Sequence, residues 1–140
     1  MILYGADDDV SKWVALQFGQ PEDYFNPCRA IGIIHENQLI AGVIYNNQKE
    51  SQGIPYMLEM TIASVDKRWC TRHNLKALFY FPFTQLGLRR VHTQCDSSDE
   101  GAWMFNKRLG FKEEGRHKAA FPSGTDAISF GMLREDCKWL

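Results

Sequence analysis

The most constraining stretch of this chain is residues 56–87, where an apolar segment, a basic turn and a second apolar segment follow one another. Residues 56–64 alternate as a β-strand does, and residues 71–80 have the apolar spacing of a helix. Positive charge lies between them, at Lys67, Arg68, Arg72 and His73. Because a helix N-terminus presents free backbone N–H groups, this strand, turn and helix predict a site for an anionic ligand.

A single carboxylate, Glu59, lies inside the predicted strand, between the apolar residues Leu58 and Met60. Such neighbours partly remove a carboxylate from water, which favours its action as a base near neutral pH. The alternative interpretation is a structural carboxylate that is solvated or paired with a basic side chain. An anion site next to a proton-accepting group makes an enzyme the leading interpretation.

Length and composition limit the class of protein. The chain has 140 residues, 44% of them hydrophobic, which suits a single domain spanning residues 1–140. It contains no apolar run long enough to span a membrane, and its first residues lack the features of a signal peptide, so we expect a cytoplasmic protein. The four cysteines are scattered, which predicts reduced, mostly buried thiols and neither a zinc site nor a disulfide framework.

Charge is unevenly distributed along the chain. The net charge is −1, yet residues 1–65 carry −5, residues 66–118 carry +5 and residues 119–140 carry −1. Positive charge is therefore concentrated directly after the strand that contains Glu59. This favours a polyanionic ligand, although the basic excess is too small to indicate a general nucleic-acid-binding protein.

The pattern of elements predicts an α+β fold with a mixed sheet and helices on both faces. A first strand at 2–4 and a helix capped by Asp7, Asp8 or Asp9 precede a β-hairpin at 30–34 and 39–45. A polar loop is predicted at 46–55. After the segment at 56–87 come a strand at 89–95, a helix at 101–109 and two strands at 112–120 and 127–133.

At this point the chain resembles the GNAT superfamily of acyl-CoA-dependent N-acyltransferases. The resemblance covers nearly the whole chain and is most specific in NKRLGFKEEGRHKAAF at residues 106–121, followed by TDAISFGMLREDCKWL. This block is similar to the helix and LGF signature of the ribosomal-protein alanine acetyltransferase-like subgroup. RWCTRHNLKALFYFPFTQLGLRRV at 68–91 resembles that subgroup's cofactor loop and helix, and these segments are also similar to small acetyltransferases of phages and prophages.

The resemblance implies a GNAT fold, with a mostly antiparallel mixed sheet, and acetyl-CoA as the cofactor. It places the pantetheine arm along the backbone of Ile62, Ala63 and Ser64 and next to Asn106. It places the diphosphate on the loop and first helical turn, at Lys67, Arg68, Trp69, Cys70, Thr71, Arg72 and His73. The family loop usually contains glycines, as (Gln/Arg)-x-x-Gly-x-(Gly/Ala), and this loop has none. Two registers fit, one beginning at Lys67 and one at Arg68.

The implied reaction is transfer of an acetyl group to a primary amine, by direct attack in a ternary complex. Glu59 is the candidate base, acting directly or through water, because related enzymes often carry a functional carboxylate on this strand. Many relatives have a tyrosine, which protonates the leaving thiolate, where this chain has Asn106. Asparagine is not an acid at neutral pH, so water is expected to supply that proton. Cys95 and Ser97 are expected near this junction without a catalytic role.

The acceptor is expected to be a small-molecule amine, a protein N-terminus or a lysine. The loops at 19–29, 46–55 and 121–126 would contact it, and Glu22, Asp23 and Glu50 would attract a cation. Two alternatives stay open: a non-catalytic GNAT-like binding module, and an acyltransferase acting on a nucleotide or nucleic-acid base. No metal and no membrane partner are expected, and apolar residues of the last strands would suit a homodimer.

Overall fold

One mixed sheet of seven strands organises the computed structural model, which describes residues 1–140. The strands are β1 (Ile2–Leu3), β2 (Cys28–His35), β3 (Gln38–Ser51), β4 (Ile54–Ser64), β5 (Arg90–Asp96), β6 (Lys112–His117) and β7 (Ala127–Leu133). Their spatial order is β1-β2-β3-β4-β5-β7-β6. Only β4 and β5 run parallel, and all other neighbouring strands are antiparallel.

Three helices cover the sheet: α1 (Asp7–Gln17), α2 (Arg72–Tyr80) and α3 (Glu100–Leu109). The first face is covered in part by α1, whose Val10 and Val14 lie over Gly32 and Gly42, which are opposite each other in β2 and β3. A Cβ at Gly42 would overlap Val14 at 2.7 Å, and one at Gly32 would crowd Val10 at 3.1 Å, so the two glycines let the helix approach the sheet closely. We call this side the α1 face.

The second face carries the larger core, under α2 and α3. Leu75, Leu78 and Phe79 of α2 join Leu58 and Met60 of β4 in one buried cluster. The cluster matches the apolar stripe predicted for this helix. Helices on both faces of a mostly antiparallel mixed sheet confirm the predicted fold class.

The predicted polar loop at 46–55 is wrong. Strands β3 and β4 continue through it as a long hairpin, and only Gln52 and Gly53 form the turn, both with positive φ. The pairing of β3 with β4 shifts its register between Asn46 and Lys49, at a β-bulge. The bulge leaves residues 47 and 48 unpaired, and β3 continues beyond them. A polar composition at the end of a hairpin is compatible with strand structure because this arm is exposed on both sides.

The predicted cap of α1 is also wrong. Ala6 precedes the helix without a side-chain cap, and all three aspartates lie in the first turn. There they complement the positive end of the helix dipole. Asp7 also accepts a hydrogen bond from the backbone N–H of Ala30 at 2.9 Å, which fixes the helix to β2.

The helix predicted up to residue 80 ends as expected at Tyr80, and a π-helical turn at Phe81–Gln85 accommodates Pro82. None of the helices has the length and the hydrophobicity that a membrane-spanning segment requires. All four cysteines are free thiols, as predicted, but they are less buried than expected: Cys28, Cys95 and Cys137 are half-buried and Cys70 is exposed.

Candidate functional site

The parallel strands β4 and β5 separate like a fork. They pair only at three positions, ending at Glu59 opposite His92, although β4 continues to Ser64 and β5 to Asp96. Beyond this last pair the edge of β4 that faces β5 has no strand partner. A fork of this kind leaves backbone N–H and C=O groups free on both inner edges, where they can bind an extended ligand.

The free edge of β4 includes Ile62, Ala63 and Ser64, the residues expected to line the cofactor arm. On their other side all three pair with β3, which fixes the edge in place. Asn106 of α3 is half-buried, and its side-chain amide forms no hydrogen bond. The preceding residue, Phe105, contacts Trp69, and the centroids of the two rings are 5.8 Å apart. The turn follows β4 and α3 follows β5, so this contact links the segments that continue the two arms of the fork.

Glu59 lies at the vertex of the fork and is half-buried, although its neighbours Leu58 and Met60 project into the core on the opposite face and do not shield its carboxylate. Its carboxylate accepts a hydrogen bond of 3.0 Å from the side-chain amide of Asn47. Asn47 has φ of +53° in the β3 bulge, a conformation that asparagine tolerates better than most residues. The bulge therefore aims an amide at the candidate base.

His92 was not singled out by the sequence, and the fold places it next to Glu59. In-register neighbours on adjacent strands project from the same side of a sheet, so both side chains are on the α1 face. Burial lowers the pKa of His92 below its usual value of 6.5, and the nearby Glu59 carboxylate partly offsets this effect. The alternation of RRVHTQC could have indicated its face, but nothing in the sequence indicates its partner.

A charged pair lies beside His92 on the same face. Arg90 of β5 donates to Glu114 of β6 with Nη1 2.7 Å from Oε2, and the pair crosses β7 over Gly131. A side chain at Gly131 would overlap both partners, so the glycine provides the space that the pair occupies. Arg90 holds the pKa of Glu114 below its usual value through this hydrogen bond. No helix covers this part of the α1 face, which remains open beside the fork.

One of the loops expected to bind the acceptor reaches this region. Asn46, which is paired with Glu59 across β3 and β4, donates from its side-chain amide to the backbone C=O of Phe25 at 3.2 Å. The segment between α1 and β2 therefore lies beside the vertex of the fork. Glu22 and Asp23 belong to the same segment and are exposed.

The basic turn after β4 uses most of its backbone donors internally. Residues Lys67–Trp69 form one 3-10 turn, which begins at Asp66. The N–H groups of Arg68, Trp69, Cys70 and Thr71 all bond to acceptors within residues 66–69. A glycine-containing loop can instead turn several N–H groups outward, so the missing glycines have a structural consequence here.

Helix α2 begins directly after this turn, and its first two N–H groups have no acceptor. Thr71 is the N-cap, and its hydroxyl oxygen accepts from the N–H of Asn74 at 3.1 Å. The N–H groups of Arg72 and His73 form no hydrogen bond within the chain. Two free donors at the positive end of a helix dipole can bind an oxyanion.

The two arginines of this region differ in their partners. Arg68 forms a forked pair with Asp66, with Nη2 2.6 Å from Oδ2, and these hydrogen bonds lower the pKa of Asp66 to about 2. Arg72 contacts no carboxylate. Its Nη2 donates to the backbone C=O of Lys138 at 3.3 Å, and its guanidinium lies over the Trp139 ring. Arg72 is therefore the arginine whose charge is free for a ligand.

Of the other predicted contacts, Lys67 and His73 are exposed near the start of α2, whereas Trp69 is buried in the core and holds the turn in place. Cys70 is exposed, and partial burial of its thiol raises its pKa.

Cys95, at the end of β5, has a pKa raised to about 11 by burial, so it is a neutral thiol near pH 7. A neutral thiol is a poor nucleophile.

The residues present fit a ligand with an extended amide-containing arm and a diphosphate. The free edges of the fork match the arm, and the α2 N-terminus with Arg72, Lys67 and His73 matches the anion. Two clefts, of about 420 and 440 Å³, lie elsewhere, against Arg134 and against Asp8. Neither touches the fork, and neither contains the combination of free backbone edges and cations.

Comparisons with known proteins identify the fold. No protein-family model matches the chain, and no curated protein sequence matches it. Solved structures do match. A mutant form of spermidine/spermine N-acetyltransferase SpeG from Vibrio cholerae has a TM-score of 0.73 and 16% identity over 96% of this chain and 95% of that one.

Two further structures extend the comparison. A GNAT-family acetyltransferase from Streptococcus pneumoniae has a TM-score of 0.71 and 11% identity over 95% of this chain and 98% of that one. Ribosomal-protein-S5-alanine acetyltransferase from Vibrio fischeri has a TM-score of 0.69 and 15% identity over 99% and 93%. At these identities the likeness establishes the fold: this protein has the fold of the GNAT acetyltransferases.

Proposed function

We propose that this protein is an acetyl-CoA-dependent N-acetyltransferase that transfers an acetyl group to a primary amine. The observation that carries the proposal is the fork of β4 and β5, which opens beside the free N–H groups of α2 and has Glu59 at its vertex. The arrangement offers an edge for a cofactor arm, an anion site and a carboxylate within one short stretch of structure. The GNAT fold of the chain supports the same activity.

In this proposal the cofactor's arm lies along Ile62, Ala63 and Ser64. The diphosphate lies at the start of α2, within reach of residues 67–73, and Arg72 contributes more than Arg68 because its charge is unpaired. Asn106 hydrogen-bonds the arm with its free side-chain amide. Acetyl-CoA, when bound, supplies an activated thioester, and the remaining chemistry belongs to the protein's own groups.

Amine acetylation requires that the nitrogen lose a proton and that the carbonyl oxygen be stabilised as it gains charge. Glu59, half-buried and held by Asn47, promotes the first of these steps, directly or through a neighbouring group or water. A backbone N–H on the free edge of β4 is the donor for the carbonyl oxygen. Water protonates the leaving thiolate, since Asn106 has no acidic proton at neutral pH.

Transfer occurs by direct attack of the amine in a ternary complex. The alternative is a covalent acetyl-cysteine, and Cys95 is the thiol closest in sequence to the opening of the fork. Its pKa of about 11 leaves it protonated near neutral pH, which disfavours a covalent route.

The acceptor is a cationic amine that approaches on the α1 face. Glu22 and Asp23 are exposed on the segment whose Phe25 contacts Asn46, next to the Glu59 pair. Proteins with the same fold include a spermidine N-acetyltransferase and a ribosomal-protein-S5-alanine acetyltransferase. A polyamine and a protein N-terminus are therefore the first acceptors to test.

The test is an acceptor screen with radiolabelled acetyl-CoA and the full chain. The panel contains spermidine, a peptide with an N-terminal alanine, the same peptide with a blocked N-terminus and one internal lysine, and adenosine and cytidine as base acceptors. The proposal expects label on at least one amine and none on the nucleosides. Label on a nucleoside favours the base acyltransferase, and cofactor binding without transfer to any acceptor favours a non-catalytic module.

A further inference from the structure

We propose that His92 is a second catalytic residue, which accepts the proton of the acceptor amine while Glu59 stabilises the resulting imidazolium. The inference rests on the proposed function, because it assigns a role within the same reaction. It differs from the assignment of Glu59 as the sole base, since the proton moves to the imidazole and the carboxylate acts through it.

His92 lies at the opening of the fork. It pairs with Glu59 at the last paired position before the strands separate, so both residues border the opening of the fork. Both side chains project onto the α1 face, where no helix covers β5 and where the segment containing Phe25 approaches Asn46. An amine that approaches a thioester in the fork from this face meets His92 and Glu59 together.

The imidazole of His92 is available to accept a proton. Two of the polar groups nearby already have partners, since Glu59 accepts from Asn47 and Arg90 is paired with Glu114, whereas the buried side-chain oxygen of Asn46 accepts no hydrogen bond. His92 is half-buried and forms no hydrogen bond with the protein. A half-buried imidazole with both nitrogens free can accept a proton, and the charge of the Glu59 carboxylate at the in-register position of β4 favours the imidazolium that results.

The charges around His92 favour a neutral ring at rest. Burial lowers its pKa most, Arg90 on the same strand and Lys49 on β3 lower it further, and Glu59 and Glu114 raise it. The Arg90 and Glu114 charges largely cancel because the two groups are paired. Glu59 is then the charge that decides how readily the ring accepts a proton.

The protonated amine gives one proton to a neutral ring nitrogen of His92. The amine lone pair then attacks the thioester carbonyl carbon, and collapse of the adduct breaks the C–S bond. The thiolate leaves with the bonding electrons and takes the second proton of the amine nitrogen through water. His92 returns its proton to solvent, so one proton is released for each amide formed.

The first test uses the uncomplexed full chain. Two-dimensional NMR of the imidazole rings between pH 4.5 and 8, with His92 assigned from the His92→Gln variant, measures the pKa. We expect a value below the ordinary 6.5 and a further decrease in Glu59→Gln, because the carboxylate no longer stabilises the imidazolium. A pKa at or above 6.5, or one that Glu59→Gln does not move, overturns the proposed pair.

The second test measures turnover with spermidine as the probe amine and, as the second probe, the peptide with an N-terminal alanine. We expect His92→Gln to lower kcat about 10²-fold, with the KM for acetyl-CoA unchanged. The pKa that governs the decrease of kcat/KM at low pH should equal the pKa measured by NMR, and Glu59→Gln should shift both to lower pH. Added imidazole should partly restore His92→Ala, which a structural role would not allow. His35→Gln, at the far end of β2, is the matched control.

Turnover of His92→Gln within twofold of the parent chain, with an unchanged pH profile, overturns the role of His92. If Glu59→Gln is then still impaired, the proposed function stands with Glu59 as the base. A parent chain that binds acetyl-CoA and acetylates neither probe contradicts the proposed function instead. Whether or not the chain acetylates a probe amine, the NMR titration shows whether Glu59 stabilises the imidazolium of His92.

Discussion

Arg72 lies with its guanidinium carbon 5.8 Å from the ring centre of Trp139. The indole N–H of Trp139 donates to the backbone C=O of Leu109 at 2.8 Å, which fixes the ring against the end of α3. The C-terminal segment thus holds the first side chain of α2 in place, while Arg68 remains paired with Asp66. A fixed arginine loses less side-chain entropy when it binds a phosphate.

Replacing Arg72 with Ala should therefore weaken coenzyme A binding about tenfold or more, the typical size of a charge-assisted hydrogen bond. Arg68→Ala should have a clearly smaller effect, and Trp139→Leu an intermediate one, because it frees the Arg72 side chain without removing its charge. Calorimetry measures the affinity of each variant for coenzyme A and for pantetheine, which lacks the diphosphate. Equal losses for the two ligands would place Arg72 away from the diphosphate.

Glu59→Gln preserves the shape of the side chain and its contact with Asn47 while removing the charge. We expect kcat to fall about 10²-fold or more at neutral pH, with unchanged affinity for acetyl-CoA. Glu36→Gln, in the turn between β2 and β3, should behave like the parent chain. Steady-state kinetics on the best acceptor of the screen decides, and unchanged turnover in Glu59→Gln would remove this carboxylate from the mechanism.

Cys95→Ala should retain turnover within about twofold, because a thiol with a pKa of about 11 is not a nucleophile near pH 7. Intact-protein mass spectrometry after incubation with acetyl-CoA alone should show no acetylated enzyme. An acetyl adduct that disappears in Cys95→Ala, together with lost turnover, would instead establish a covalent route.

The sequence predicted the fold class and the segment containing the candidate site, because alternation and helical spacing are local properties. Residues 56–64 and 71–80 were assigned to a strand and a helix, close to the observed β4 and α2. The hairpin beyond Asn46 was missed, since its polar residues resemble a loop and a bulge at Asn47 cannot be read from composition.

Contacts between distant segments account for the rest. The pairing of Glu59 with His92 depends on the register of two parallel strands that are connected through α2, and no local pattern contains that register. The same holds for Arg72 and Trp139, and for the Arg90–Glu114 pair that crosses Gly131. Such contacts depend on tertiary packing and not on any local sequence pattern.

Gly42→Ala tests the contact between α1 and the sheet. The added methyl group would lie 2.7 Å from a methyl group of Val14, so we expect a loss of about 1–3 kcal/mol in the free energy of unfolding. Gly101→Ala, in the first turn of α3, meets only Asp99 at 3.7 Å and should stabilise the protein by roughly 0.5 kcal/mol. Urea denaturation measures both, and a neutral Gly42→Ala would mean that α1 is not tightly seated.

The central claim is that the fork and the glycine-free turn hold acetyl-CoA. Calorimetric titration of the purified chain with acetyl-CoA, with dephospho-CoA as a second ligand, tests it most directly. We expect micromolar binding of acetyl-CoA and comparable binding of dephospho-CoA, because the proposed contacts reach the arm and the diphosphate. No heat of binding at millimolar ligand, from a chain shown to be folded, would contradict it.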